Sequence, residues 1–173
     1  MRAETFALLF GIAYLSAGLL GLHPGALMPP PADAPPTQFT SLYGYLLGLF
    51  PVNLLHSVIH LAIGAWGIMA WRRVASPRVF ARALTVFYGA LAAMGLIPGL
   101  NTLFGMLPLH GHDVWLHGGT AAVAAYVAWR PGLSVEHRAS NTPDRREEEV
   151  LPATRERRLG HADRRLPSAG DEL

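Results

Sequence analysis

Histidine is the residue type in this sequence with the most chemical potential, because of where it occurs. His56 and His60 are four residues apart, so on a helix they share one face. Imidazole nitrogens at this spacing are the ligands of helical zinc sites. His117 lies in a later apolar segment, four residues after Asp113, and Asn53 comes three residues before His56. We name Asn53, His56, His60, Asp113 and His117 the polar cluster.

Three interpretations of the polar cluster stay open. In the first, which we favour, its side chains hydrogen-bond between helices and Asp113 caps a helix N-terminus, so the role is structural or one of interaction. In the second, His56, His60 and His117 bind a divalent transition metal, with Asp113 as a further ligand or its partner, or two of them bind haem. In the third, the cluster handles protons, quinones or small molecules at the outer surface.

Other catalytic chemistry has little support, and we assign no catalytic residue. The chain has no cysteine, which excludes disulfides, thiolate metal sites and cysteine nucleophiles. Ser57 adjoins His56, but neighbouring residues on a helix point to different faces. No P-loop, dinucleotide or G-x-S-x-G motif occurs in the sequence. An enzymatic function is therefore not expected.

Four apolar segments must position these residues. The chain has 173 residues and a net charge of +2, and its charged residues are concentrated after residue 129. A helix needs about 20 mostly apolar residues to cross a bilayer. The segments cover about residues 5–22, 52–71, 79–98 and 113–129. We predict an all-α, integral membrane, antiparallel four-helix bundle over residues 1–130, with the lipid bilayer as its partner.

The arginines predict the orientation, because basic residues favour cytoplasmic loops. In a four-span topology every arginine of the body falls on one side: Arg2 before the first span, Arg72, Arg73, Arg78 and Arg82 between the second and third, and Arg130 after the fourth. The connections at residues 23–51 and 99–113 contain no arginine. We therefore expect a multi-pass protein of the inner (cytoplasmic) membrane with both termini in the cytoplasm. A signal peptide cleaved after Ala34 is a weaker alternative, because proline would follow the cut.

Small and polar residues recur at heptad spacing in each segment, which predicts the buried faces. These stripes are Ala7, Gly11, Tyr14, Gly18 and Gly21; Asn53, His56, His60, Gly64 and Gly67; Thr85, Tyr88, Ala92 and Gly95; and Asp113, His117, Thr120, Ala124 and Ala128. His56 and His60 would lie about 6 and 12 Å below the outer surface, with His117 at a similar depth. The polar cluster should thus converge in the outer leaflet.

The segments outside the predicted spans carry fewer signals of structure or function. Residues 39–49 are apolar but interrupted by glycine, so we expect them to lie in the membrane interface. Residues 131–173 are rich in arginine, acidic residues and proline, and we predict a disordered cytoplasmic tail. Its acids offset its arginines, so nucleic acid is not expected as a partner. A homo-oligomer or a membrane-protein partner stays open.

Two stretches of the sequence contain the polar cluster. Residues 48–61 read Gly-Leu-Phe-Pro-Val-Asn-Leu-Leu-His-Ser-Val-Ile-His-Leu, and residues 107–117 read Leu-Pro-Leu-His-Gly-His-Asp-Val-Trp-Leu-His. They resemble the signatures of the DUF4383 family, small four-span bacterial membrane proteins. The resemblance covers about residues 5–130 and marks the polar cluster as the family's polar positions. Ser57 and His110 depart from it, since asparagine is expected at both. The resemblance implies topology and location, and no activity.

Overall fold

Four α-helices form the framework of residues 1–130, the part of the chain that this computed structural model describes. They are α1 (Ala3–Gly21), α2 (Leu54–Trp71), α3 (Pro77–Gly95) and α4 (His112–Trp129). The predicted all-α architecture with four helices is confirmed for this part. The predicted disordered tail, residues 131–173, lies outside the described residues.

The helices coincide with the four apolar segments to within three residues at each end. By length and composition, α1 and α2 are apolar enough to cross a membrane. The other two described helices fall short of that standard: α3 carries Arg78 and Arg82, and α4 carries Asp113 among its glycines and histidines. That all four helices cross a membrane remains a prediction.

Local sequence signals set where α2 and α3 begin. The Asn53 side-chain oxygen accepts from the backbone N–H of His56 at 2.9 Å, which satisfies one of the free donors at the start of α2. Ser76 accepts from Val79 in the same way at 3.4 Å, and Pro77 follows at the first helical position. The histidines of α2 therefore stand on the first two turns of a capped helix.

Glycines allow α1 and α2 to pack as an antiparallel pair with their backbones almost in contact. A Cβ added at Gly67 would lie 2.7 Å from the Cα of Gly11, and one added at Gly64 would lie 2.6 Å from the backbone nitrogen of Leu15. At Gly21 an added Cβ would collide with the Ser57 hydroxyl. This close approach fixes how far α2 can turn, and so fixes the direction in which its histidines point.

The second antiparallel pair, α3 and α4, closes the core through aromatic contacts. The ring of Tyr14 on α1 stacks on Tyr88 of α3 with centroids 5.1 Å apart and an interplanar angle of 14°. The Tyr14 hydroxyl also donates to the Thr120 hydroxyl of α4 at 3.1 Å. These contacts join the two pairs beside the histidines.

The predicted buried stripes hold for three helices and fail for one. Every stripe residue of α1, α2 and α4 is buried, together with Asn53 before α2. On α3 only Tyr88 is buried among the predicted residues, whereas Leu84 and Leu91 are buried instead. The prediction was wrong there because mostly large side chains, and not the small residues at heptad spacing, form the buried face of α3.

A small sheet, which the sequence analysis did not predict, covers the ends of the helices near the histidines. Its antiparallel strands are β1 (Leu27–Met28), β2 (Gly44–Leu46) and β3 (Phe50–Val52), in that order. The backbone N–H groups of Gln38 and Phe39 both donate to the carbonyl of Gly105, at 2.9 and 3.0 Å. The two long connections thereby form one cap over this end of the core.

Candidate metal centre

A pair of histidines on the first two turns of α2 forms the centre of the site. The Nε2 atoms of His56 and His60 are 3.2 Å apart, and the ring centroids are 4.5 Å apart at an angle of 70°. Two nitrogens bound to one tetrahedral zinc, with bonds of about 2.0–2.1 Å, stand about 3.3 Å apart. The same distance fits a hydrogen bond between one protonated and one free imidazole nitrogen. The pair is thus suited to hold either a proton or a metal ion.

His117 joins the pair from the facing helix α4. Its ring centroid is 6.0 Å from that of His56. One ligand nitrogen from each of His56, His60 and His117 can be chosen so that all three lie within 4.8 Å of one another. Each of the three side chains is at most 5% exposed. The structure therefore brings together the three histidines that the sequence nominated as metal ligands.

Asp113 stands behind His117 and outside the set of three histidines. Its Oδ2 atom is 3.5 Å from Nε2 of His117, one helical turn away, and both side chains are 1% exposed. Its carboxylate does not belong to the group whose ligand atoms lie within 4.8 Å of one another. A carboxylate that faces the far nitrogen of a ligating imidazole orients the ring and raises its basicity. Asp113 faces Nε2 of His117, so it would take this partner position with Nδ1 of His117 as the ligand atom.

Asn53 has a different role from the histidines. Its side-chain oxygen caps α2, while its amide donates to the carbonyls of Met106 at 2.8 Å and of Phe39 at 3.2 Å. The fully buried amide is therefore occupied by the two connections of the cap. The resemblance leads us to expect asparagine at position 57. The Ser57 hydroxyl found there donates to the Asn53 carbonyl at 2.9 Å and packs against Gly21.

Tyr14 and Tyr88, which the sequence predicts only as packing residues, border the site. The Tyr14 ring lies 5.1 Å from that of His60, and the Tyr88 ring lies 4.9 Å from that of His117. The hydroxyl of Tyr88 is buried and has no well-formed hydrogen bond. Their position on the predicted stripes, as the polar members of mostly apolar helices, was the signal that could have identified them.

Of the two histidines in the nearby loop, one is exposed and one is buried. His112 is exposed at the start of α4. His110 is 8% exposed, and its ring centroid lies 6.2 Å from that of Tyr45. Burial lowers the pKa of His110, which keeps its imidazole neutral at neutral pH. Neither residue belongs to the group of three histidines.

The comparisons with known proteins identify the family of this chain. The family model described as "Domain of unknown function (DUF4383)" matches residues 4–130. The chain belongs to this family. No curated protein and no solved structure matches it. The DUF4383 match spans all four helices and every residue of the polar cluster, and confirms the resemblance seen in the sequence.

The site of this DUF4383 protein has polar atoms without partners. Among the described residues, buried atoms that lack a hydrogen bond include Nδ1 of His56, both ring nitrogens of His117 and Oδ2 of Asp113. A buried donor or acceptor left unpaired costs about 1–3 kcal/mol. Such atoms call for an explanation, for example an ion or a water. Two of these atoms, Nε2 of His117 and Oδ2 of Asp113, face each other at 3.5 Å, which leaves Nδ1 of His56 and Nδ1 of His117 without a polar neighbour of this kind.

A small cavity lies against the histidine pair of the DUF4383 site. Its volume is about 10 Å³, and its polar lining comes from His56, His60 and Tyr88. Apolar side chains, including Leu91, Leu107 and Leu109, complete the lining. A space of this size holds about one water molecule. The arrangement can therefore accommodate an ion and a very small ligand.

Proposed function

We propose that this DUF4383 protein is a membrane protein that binds a divalent transition metal through His56, His60 and His117. The observation that carries the proposal is the approach of three buried imidazoles to within 4.8 Å of one another. Imidazole suits zinc, copper, nickel and iron, and three histidines are a known zinc ligand set. An unpaired ring nitrogen of His117 supports it further, because a cation bound at that nitrogen would satisfy it.

Space and charge favour a single ion over haem. Two axial ligands of haem stand on opposite faces of a wide macrocycle. His56 and His60 stand on one face of α2 with Nε2 atoms 3.2 Å apart, and the neighbouring cavity is about 10 Å³. An ion fits between the imidazoles with small side-chain rotations. The Asp113 carboxylate, 3.5 Å from His117, would offset part of the charge of a dication in this buried place.

A purely structural polar cluster is the second candidate. The hydrogen-bond distance between His56 and His60 favours it, as do the completed bonds of Asn53. It explains those contacts without a ligand. It leaves Nδ1 of His117 without a partner, which is why we place it second.

The membrane part of the proposal is supported by the outward faces of the helices. Large apolar side chains are exposed on all four of them, which is costly in water and favourable in lipid. Examples are Leu9, Ile12 and Leu19 on α1, Val58 and Met69 on α2, Val86 and Phe87 on α3, and Trp115, Val123 and Tyr126 on α4. We infer that four spans cross the inner membrane, with the arginine-bearing end in the cytoplasm.

Metal analysis of detergent-purified protein tests the metal site. We expect about one zinc, cobalt or nickel ion per chain after loading and desalting, and its loss in His60→Ala and in His117→Ala. The matched control is His112→Ala, which removes an exposed histidine from α4 and should retain the ion. Bound metal should also raise the thermal midpoint, since a ligand at 100 times its Kd stabilises by about 2.7 kcal/mol. Wild-type protein without stoichiometric metal would overturn the proposal.

The lack of cysteine makes topology directly testable. Phe104 in the cap is 71% exposed and Val74 between α2 and α3 is 76% exposed, so each tolerates replacement. In intact spheroplasts, a membrane-impermeant maleimide should label Phe104→Cys. Val74→Cys should react only after the membrane is permeabilised. The reverse pattern would contradict the orientation, and equal labelling of both in intact cells would contradict a membrane-spanning body.

A further inference from the structure

The candidate metal centre has one ligand fewer than a closed tetrahedral site. Structural zinc sites are held by four protein ligands, whereas catalytic and ligand-binding zinc sites are held by three and keep one position for water or a substrate. In residues 1–130 the group of convergent ligand atoms contains only His56, His60 and His117. Asp113 faces His117 from outside this group. The amide of Asn53 is committed to the cap.

A place for a fourth ligand exists beside the histidine pair. The cavity of about 10 Å³ is lined by His56, His60 and Tyr88, and it has the volume of about one water molecule. Tyr88 is fully buried, and its hydroxyl lies beside that of Tyr14 without a hydrogen bond of good geometry. A phenolic hydroxyl can donate to or accept from a small molecule in that space. The remaining lining is apolar, which excludes water beyond the first ligand.

We infer that the metal ion keeps an exchangeable coordination position in this cavity, where it binds water, hydroxide or a monatomic anion such as fluoride. The inference rests on the proposed metal site and adds the chemical class of its ligand. Tyr88 is the positioning residue, because its hydroxyl would hydrogen-bond the exogenous ligand while the metal binds it. The cavity, with the volume of about one water molecule, limits the ligand to a single heavy atom.

Cobalt(II) reports both the metal site and its fourth ligand, because its visible absorption bands depend on the ligand set. The full-length protein in detergent is loaded with cobalt, and its visible spectrum is recorded during titration with fluoride and, separately, with thiocyanate. We expect a saturable spectral change with one fluoride per cobalt and none with thiocyanate, because a three-atom anion is too large for a cavity of one water molecule. In Tyr88→Phe we expect cobalt to bind as before and the anion Kd to rise about five- to tenfold, as loss of one hydrogen bond implies.

The matched control is Tyr126→Phe, which removes an exposed phenol of α4 remote from the histidines and should leave the anion Kd unchanged. Cobalt bands that do not respond to fluoride would overturn the inference, since a protein group would then fill the fourth position, and the metal site itself would stand. Failure of cobalt to bind at all would overturn the proposed function and this inference together. An unchanged Kd in Tyr88→Phe would remove Tyr88 from the role.

Discussion

The two ends of the helical body bury side chains of opposite character. One end lies where α1 begins and α4 ends, and there the rings of Phe6, Trp66 and Phe80 pack together. The ring centroid of Phe80 is 6.0 Å from that of Phe6 and 5.3 Å from that of Trp66. At the end beneath the cap, the buried side chains are His56, His117 and their polar neighbours. We name these the aromatic end and the histidine end.

The two ends differ in whether their buried polar atoms have hydrogen-bond partners. Among the described residues, the aromatic end has no buried side-chain polar atom without a hydrogen bond, and its rings pack against one another. The histidine end keeps unpaired nitrogens on His56 and His117 and a cavity beside them. Stability should therefore come mainly from the aromatic end and ligand binding from the histidine end. Four substitutions test this division.

The largest effect is expected from Gly67→Leu at the aromatic end. An added Cβ alone would stand 2.7 Å from the Cα of Gly11 and 2.9 Å from the Ala7 carbonyl, so α1 and α2 would have to separate. We expect little folded protein, measured by size-exclusion profile and protease resistance in detergent. Gly119→Ala is the control, because nothing lies within 4 Å of its Cβ position. A well-folded Gly67→Leu protein would disprove the close packing of α1 on α2.

Phe80→Ala should lower the free energy of unfolding by about 3–5 kcal/mol, the usual cost of removing a large buried aromatic side chain. Because Phe80 lies at the aromatic end, the folded fraction should still bind one metal ion per chain. Unfolding in a denaturing-detergent titration and metal analysis of the same sample measure the two effects. Loss of metal from protein that is still folded would break the division between the two ends.

Asp113→Asn, at the histidine end, should weaken metal binding without lowering stability. The amide keeps the shape of the side chain but replaces the carboxylate that faces His117 at 3.5 Å. We expect metal affinity to fall 10- to 100-fold, as for other carboxylate partners of ligating histidines. The stability of the metal-free protein should stay the same or rise, since a buried carboxylate is removed. Unchanged affinity in a competition titration with a chelating dye would count against this role.

Arg73→Ala should have the smallest effect. The Arg73–Glu4 ion pair is 4.0 Å long, and both side chains are largely exposed, so it contributes less than about 0.5 kcal/mol. Neither unfolding nor metal content should change measurably. A larger loss of stability would show that this ion pair, and not aromatic packing alone, stabilises the aromatic end.

Much of the fold could be predicted because it depends on local pattern. Helix positions follow from apolar segments bounded by signals such as Asn53 and Ser76–Pro77, which act within a few residues of the chain. The buried faces of α1, α2 and α4 follow from small residues at heptad spacing. The same rule was wrong for α3, whose buried face carries Leu84 and Leu91, since spacing does not report how wide a gap the neighbouring helix leaves.

The sequence by itself determined the family, the four helices and the three histidines that face one another. These features rest on residue type and short-range spacing, which a folded chain preserves. Only the tertiary structure separated the members of the polar cluster. Asn53 bonds to carbonyls 14 and 53 residues away, and Asp113 falls behind His117 and outside the histidine group. It also placed Tyr88 and a water-sized cavity beside His56 and His60. Such contacts depend on the distance and rotation between helices, which long-range packing sets.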